Sequence, residues 1–248
     1  MTIFIVILAA LAPALGLLYF IYNKDVLQKE PRREVLIAFG YGAISVAAST
    51  LVSLPLMGIG VVPSEAATVG EHIRVAVFGA GIPEELAKFV LLWLFIRRCR
   101  YFDEYVDGIV YAACVGLGFA AVENIMYLIQ NFDAWAYVGA MRALFSVPGH
   151  FFFAVVMGYY VSKACFDDPS QRLRNFILAL VVPMLLHSAF DALLMVSTLS
   201  AAATGLIALF IGLYIFMAKT SKKMYNKHLE TDREIRNEIE EESKRLDF

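Results

Sequence analysis

Stretches of about twenty consecutive apolar residues recur along this chain, each long enough to cross the hydrocarbon core of a bilayer. Seven are read at about 2–22, 35–55, 73–96, 107–130, 140–162, 175–198 and 202–218. Backbone N–H and C=O groups inside lipid must be satisfied internally, so runs of this length fold as helices. The expected fold is therefore all-α: a polytopic membrane protein of about seven transmembrane helices joined by short linkers, with no internal repeat. Composition agrees, since 60% of the 248 residues are hydrophobic and only 18% charged, against about 45–50% and about 25% in soluble domains. A net charge of −2 argues against a nucleic-acid partner, and Cys99, Cys114 and Cys165 have no metal-binding or disulfide-framework spacing. The first run has no basic residues before it and is too long for a signal peptide, so it reads as a retained span.

Charge is partitioned between the two ends of these spans. The linkers 23–34, 97–106 and 163–174, with the tail from Lys219, hold 18 of the 21 Lys and Arg residues; only Arg74 and Arg142 fall on the other side, and Lys88 lies within a span. The positive-inside rule then puts the N-terminus outside and the C-terminus in the cytoplasm of a multi-pass cell-membrane protein. The expected organisation is two N-terminal helices and their loops at 1–72, core helices at 73–198, a last transmembrane helix at 199–218, and a charged cytoplasmic tail at 219–248. The tail reads as a solvated helix, because Ile235 and Ile239 are its only good i,i+4 apolar pair.

Ionisable residues inside spans cost roughly 2.5–3.5 kcal/mol each at a helix centre, so each needs a reason. They are Glu84, Glu85 and Lys88 in the third span, Glu123 beside Asn124 in the fourth, His150 in the fifth, and His187 and Asp191 in the sixth. Counted from the outer ends of these spans, all but Lys88 lie roughly 10–18 Å deep at about 1.5 Å per residue. A shared layer across four helices points to one cluster in a four-helix core. Glu84 and Lys88 share a helix face, as do His187 and Asp191. Ala112, Gly116 and Ala120 form a small-residue stripe leading to Asn124, which lets helices approach closely.

Proline marks the same places. Pro83, Pro148 and Pro183 each stand one to four residues before a polar residue of the cluster. A proline removes one helical hydrogen bond, and in membranes such breaks persist where they face a protein-enclosed or wet cavity. Gly79–Pro83 is expected to restart the helix with proline in its first turn, placing Glu84 and Glu85 at a helix N-terminus, where negative charge is favoured.

Each feature also has a plain structural reading. Glu84 with Lys88 can be a buried ion pair that holds helices in register, but Glu85 adds a like charge that one lysine does not neutralise. Adjacent carboxylates suit a group that takes and gives a proton. His187 with Asp191 can be a hydrogen-bonded clip, or an imidazole oriented by a carboxylate for catalysis or metal binding. Glu123 can be packing glue held by Asn124 and Lys88. His150, after Pro148-Gly149, is the least determined. The aromatic row Phe151–Phe153 with Tyr159 and Tyr160 reads as packing or lipid-facing.

Three motifs stand in order on successive spans: EELAK at 84–88 fits EExxK, Phe119–Glu123 fits FxxxE, and His187–Asp191 fits HxxxD. Together they resemble the PrsW intramembrane proteases, distant relatives of the type II CAAX prenyl endopeptidases. The resemblance covers about 73–198 and includes DGIVYAACVGLGFAAVENIMY and ALFSVPGH. It implies a protease cutting a single-pass protein anchored in the lipid bilayer, such as an anti-sigma factor, near the extracytoplasmic face. The implied catalytic set is Glu84, Glu85, Lys88, Glu123, His150, His187 and Asp191. Glu85 or Glu84 would be the general base, with His187 and His150 stabilising an oxyanion or holding a metal. Glu85, Glu123, His150 and His187 are the metal-ligand candidates and zinc the candidate ion; a metal-free glutamate mechanism uses the same residues. Two other classes stay open on sequence grounds. One is a proton- or ion-coupled transporter using the same buried charges, and the other a non-catalytic scaffold with a frozen polar core.

Overall fold

The computed structural model describes residues 2–199 and 205–246. The chain is helical almost throughout. Helices α1 (Thr2–Lys24) and α2 (Arg32–Gly58) are followed by a short α3 (Val69–Arg74), a π-helical turn over Val75–Gly81, and α4 (Ile82–Ile96). The central helix α5 (Tyr105–Gln130) leads to α6 (Trp135–Met141), a second π-helical turn over Arg142–Ser146, and α7 (Val147–Phe166). Helices α8 (Arg172–Ser197) and α9 (Leu206–Leu246) complete the chain.

Among the described residues, five segments are long and apolar enough to cross a membrane: Ile3–Lys24, Arg32–Gly58, Tyr105–Gln130, Phe132–Phe166 and Pro169–Ser197. The expected third span is helical from Val69 to Ile96, but as three pieces carrying Glu84, Glu85 and Lys88. The expected seventh span is the first part of α9; its opening residues 202–204 lie outside the described residues.

Helix α5 is buried on nearly all sides and packs against α1, α2, α7 and α9. A helix apolar all round belongs at the centre of a bundle, and the small residues of α5 explain how closely its neighbours come. A Cβ on Gly116 would lie 2.6 Å from Ala154 Cβ and 3.1 Å from the His150 carbonyl oxygen, so glycine there lets α7 seat His150 against α5. Around this core, α1, α2 and α8 turn Leu8, Phe20, Leu36, Leu51, Leu173 and Leu185 outward, the apolar belt lipid requires.

Proline explains the two π turns. Pro83 and Pro148 stand in the first turns of α4 and α7, each directly after a π turn. Neither can supply the N–H of a regular helical bond, and each ring crowds the carbonyl four residues earlier. The backbone widens instead: Ile82 N–H bonds to the Val77 carbonyl and Val147 N–H to the Arg142 carbonyl, both five residues back. Such widened turns recur at functional sites. Pro183 lies inside α8 without one.

The tail departs from the solvated helix expected of it. Helix α9 runs unbroken to Leu246 and docks by polar groups: His228 and Asp232 are buried, whereas Ile235 and Ile239 are exposed. Asp232 accepts hydrogen bonds from the backbone N–H groups of Tyr105 and Val106, both at 2.8 Å. His228 stacks on Tyr159 at 4.2 Å and bonds to its carbonyl, and Arg236 pairs with Glu104 at 2.7 Å.

Candidate active site

Four helices deliver the ionisable residues to one place. Glu84, Glu85 and Lys88 come from the first turns of α4, Glu123 from α5, His150 from the first turn of α7, and His187 and Asp191 from α8. All seven residues chosen from the sequence lie in one connected network. Gly81 permits the approach of α8, because a Cβ there would fall 2.2 Å from the Ser188 hydroxyl oxygen, next to His187.

Lys88 is the hub. Its ammonium donates to Glu85 Oε1 at 2.8 Å and to Glu84 Oε2 at 3.3 Å, and it lies 3.0 Å from His150 Nδ1. Three donors meet three acceptors, and the ammonium also sits over the Phe119 ring at 3.9 Å. An otherwise unaffordable buried lysine is thereby satisfied.

The histidine hydrogen bonds fix how each ring is oriented. Lys88 can only donate, so His150 Nδ1 is the acceptor and Nε2–H donates to Glu123 Oε2 at 2.8 Å. His187 Nδ1 lies 2.8 Å from Glu85 Oε1, an acceptor, so that nitrogen donates. Its Nε2 faces Asp191 Oδ2 at 3.4 Å and Glu84 Oε2 at 3.9 Å, a position suited to a cation. The His187 ring stacks on Phe153 at 4.7 Å and meets the His150 ring edge-on at 5.2 Å.

Each imidazole thus gives one N–H to a carboxylate, the arrangement that orients metal-binding histidines. The second nitrogen of His187 faces Asp191 and Glu84, whereas that of His150 accepts from Lys88, whose ammonium a metal ion on His150 would displace. Donor atoms of Glu84, His150 and His187 all lie within 4.8 Å of one another. Two imidazoles and a carboxylate make a suitable zinc donor set. Glu85 and Glu123, ligand candidates on sequence grounds, here hold the histidines from behind. Glu85 keeps one resource free: its Oε2 is fully buried and has no hydrogen-bond partner among the described residues.

Arg142 is the site residue sequence reasoning missed. Counted there as a basic residue on the outer side, it is buried and donates from Nη2 to Glu123 Oε2 at 2.7 Å and from Nε to Asn124 Oδ1 at 2.8 Å. Asn124 in turn donates to the Ala10 carbonyl at 2.7 Å, tying the network to α1. Glu123 is therefore held by Arg142 and His150 rather than by Asn124 and Lys88. Arg142 precedes His150 by eight residues, but the π-helical turn between them breaks the regular helix spacing that would have linked the two.

Comparison with known proteins decides the family. The PrsW family of intramembrane metalloproteases matches residues 30–220. The chain belongs to the PrsW family. It is 38% identical to the protease PrsW of Bacillus subtilis (strain 168) over 191 residues, covering 77% of this chain and 83% of that one. The Oceanobacillus iheyensis protease PrsW is 37% identical over 186 residues, covering 75% and 81%. The Geobacillus kaustophilus protease PrsW is 36% identical over 192 residues, covering 77% and 80%. No solved structure matches. The PrsW match extends beyond the four core helices to α2 and to the first part of α9, and it makes this chain a multi-pass intramembrane protease.

Proposed function

We propose that this PrsW protease cuts a single-pass membrane protein, an anti-sigma factor, near the extracytoplasmic face. The observation that carries the reading is the pairing of two carboxylate-held histidines with Glu84 beside the unpartnered Oε2 of Glu85. The site also lies toward the helix ends remote from the basic linkers, since Glu123 is seven residues from the end of α5 at Gln130. With the basic linkers and tail in the cytoplasm, that depth is extracytoplasmic.

Glu84, His150 and His187 are the residues that would hold a metal, and zinc fits them best. A bound zinc ion would polarise the scissile carbonyl and acidify a water. The remaining chemistry belongs to the chain. Glu85 Oε2 takes a proton from the attacking water, while Lys88 and His187 hold Oε1 and so fix the carboxylate in place. Glu85 and Glu123 orient the two rings, Asp191 lies against the second nitrogen of His187, and Arg142 keeps Glu123 from swinging away. Lys88 supplies the positive charge that keeps three carboxylates together in a dry site.

Co-expression with candidate anti-sigma factors tests the proposal. A shortened, membrane-anchored product is expected with the wild type and absent with Glu85→Gln. Equal processing by both, at equal abundance, would overturn the assignment of the site.

A further inference from the structure

Outside the network of Glu85 and its partners, a cavity of about 350 Å³ opens between α1, α5, α7 and α9. Its apolar part is lined by Phe20, Ile109, Phe151, Phe152, Val155 and Ala218. Phe20 and Phe151 meet edge to face at 6.4 Å across it. Its other end is polar, formed by Lys24, Ser221, Lys222, Tyr225 and Asn226. The last turn of α1 and the junction of α9 with its tail make this end, so it lies where the spanning helices leave the hydrocarbon.

Three observations say what fits. Among the described residues, neither Lys24 nor Lys222 is in an ion pair, and both are exposed at the mouth. Ser221 is 4% exposed, and its hydroxyl has no hydrogen-bond partner among the described residues. The interior below them is aromatic and aliphatic. An anion with a hydrocarbon tail satisfies all three at once. A transmembrane helix, about 10–12 Å across with its side chains, is too wide for the cavity. A free anion would leave the apolar part bare.

We propose that this cavity binds one anionic phospholipid. Its phosphate lies against Lys24, Lys222, Ser221 and Asn226, and one acyl chain lies among Phe20, Phe151, Phe152 and Val155. A zwitterionic lipid offers the same phosphate but brings its own cation to the lysines and binds less well. The lipid packs on α7 directly after His150 and bridges α1 to α9. Lys219, Lys223 and Lys227 line an adjoining groove on α9, which shares Lys222 and Asn226 with the cavity, and give only the diffuse attraction of a basic surface.

Native mass spectrometry of the full chain, delipidated and titrated in detergent, tests this. Phosphatidylglycerol is expected to bind one per chain and at least tenfold more tightly than phosphatidylcholine of the same acyl composition. The Lys24→Gln/Lys222→Gln double variant should weaken it by roughly tenfold or more, since each basic side chain near a lipid surface is worth about fivefold. Ala218→Trp, which fills the cavity from α9, should remove the tight site. Lys219→Gln/Lys223→Gln should leave it intact. Equal affinity for the two lipids, equal losses in both double-lysine variants, or tight binding persisting in Ala218→Trp would overturn the proposal. Displacement of the lipid by an equal concentration of inorganic phosphate would reassign the mouth to a free anion. Thermal unfolding without added lipid checks each variant's fold. If Ala218→Trp folds poorly, the exposed lysine pairs decide.

Discussion

Lys88 Nζ lies 3.0 Å from His150 Nδ1, so an ammonium stands against the second nitrogen of one imidazole while its other donors hold Glu84 and Glu85. This single contact fixes the ring's orientation and joins α4 to α7. Replacing Lys88 by Met removes the one cation among the two glutamates. The site is buried, so the orphaned carboxylates should cost about 3–5 kcal/mol. Lys88→Met is therefore expected to lower both folded yield and activity. Normal thermal stability in that variant would contradict the hub role.

Conservative replacements separate enzyme from scaffold. Glu85→Gln and His187→Asn keep size and part of the hydrogen bonding while removing the carboxylate or the imidazole. Each should lower cleavage per folded molecule by at least about a hundredfold, the scale of a lost general base. Abundance should stay near normal, because a neutral isostere escapes the desolvation cost of a buried charge. Stable, fully active variants would identify the cluster as structural.

Metal dependence has its own readout. Chelation should abolish cleavage and zinc should restore it, and equilibrium dialysis should find about one zinc per chain. Glu84→Gln, His150→Ala and His187→Ala should each lose bound zinc. Glu123→Gln should retain zinc with affinity weakened by about 10–100-fold, as for a residue that orients a ligand. Full zinc occupancy in all three ligand variants would refute the assignment of Glu84, His150 and His187.

The helical class and the convergence of seven residues were legible because each rests on a local pattern. Apolar runs set the spans, and i,i+4 spacing put Glu84 with Lys88 and His187 with Asp191. Pro83 in the first turn of α4 was legible too. The backbone, however, runs on helically through the π turn before it, so Glu84 and Glu85 do not sit at a free helix N-terminus. The role of Arg142 was not, because basic residues near a span end are ordinarily read as topology markers. Sequence did not separate the carboxylates facing the second nitrogen of His187 from those behind the rings. Glu84 and Glu85 differ only in which way a neighbouring side chain points. Tail docking left no trace at all, since Asp232 bonds to backbone N–H groups and needs no apolar periodicity.

Arg142→Lys tests the missed residue. The planar fork reaches Glu123 and Asn124 together at 2.7 and 2.8 Å, which a lysine does not reproduce. Expected is a fall in kcat of about tenfold or more with KM little changed, because Arg142 positions Glu123 and does not bind substrate. A change confined to KM would instead place Arg142 against the substrate.

Stability should depend on pH at the basic end of the bundle. Glu30 is buried, bonded by the Tyr111 hydroxyl, and burial pushes its carboxyl up to about 7; burial likewise raises Asp25 to about 6. The folded chain thus holds protons that the unfolded chain has released. Their stabilising contribution is full below the unfolded values near 4 and is lost as pH rises through about 7. His228, lowered to about 4 by burial, acts in the opposite sense, and its contribution is lost only as pH falls below about 6.5. Raising the pH from 6.5 to 7.5 should therefore lower the thermal midpoint of the wild type, and Glu30→Gln should flatten that slope. An identical slope in both would show that Glu30 does not titrate there.

The last test concerns the tail. The first-turn N–H groups of α5 are accounted for one by one: Tyr105 and Val106 donate to Asp232, and Asp107 donates to the Glu104 side chain. Asp232→Ala leaves two buried donors without a partner, each worth about 1–3 kcal/mol when unsatisfied, with water recovering part of that loss at this helix end. A destabilisation of about 2 kcal/mol is expected, at the upper end of measured cap losses. Asp232→Asn keeps one acceptor oxygen and should lose about half as much. Ile235→Ala and Ile239→Ala, on the exposed face, should stay within about 0.5 kcal/mol of the wild type. Cleavage per folded molecule should be unchanged in all four, because Asp232 meets α5 at the end opposite Glu123. If the isoleucine variants unfold more readily and Asp232→Ala does not, the tail docks through its apolar pair and the capping account fails.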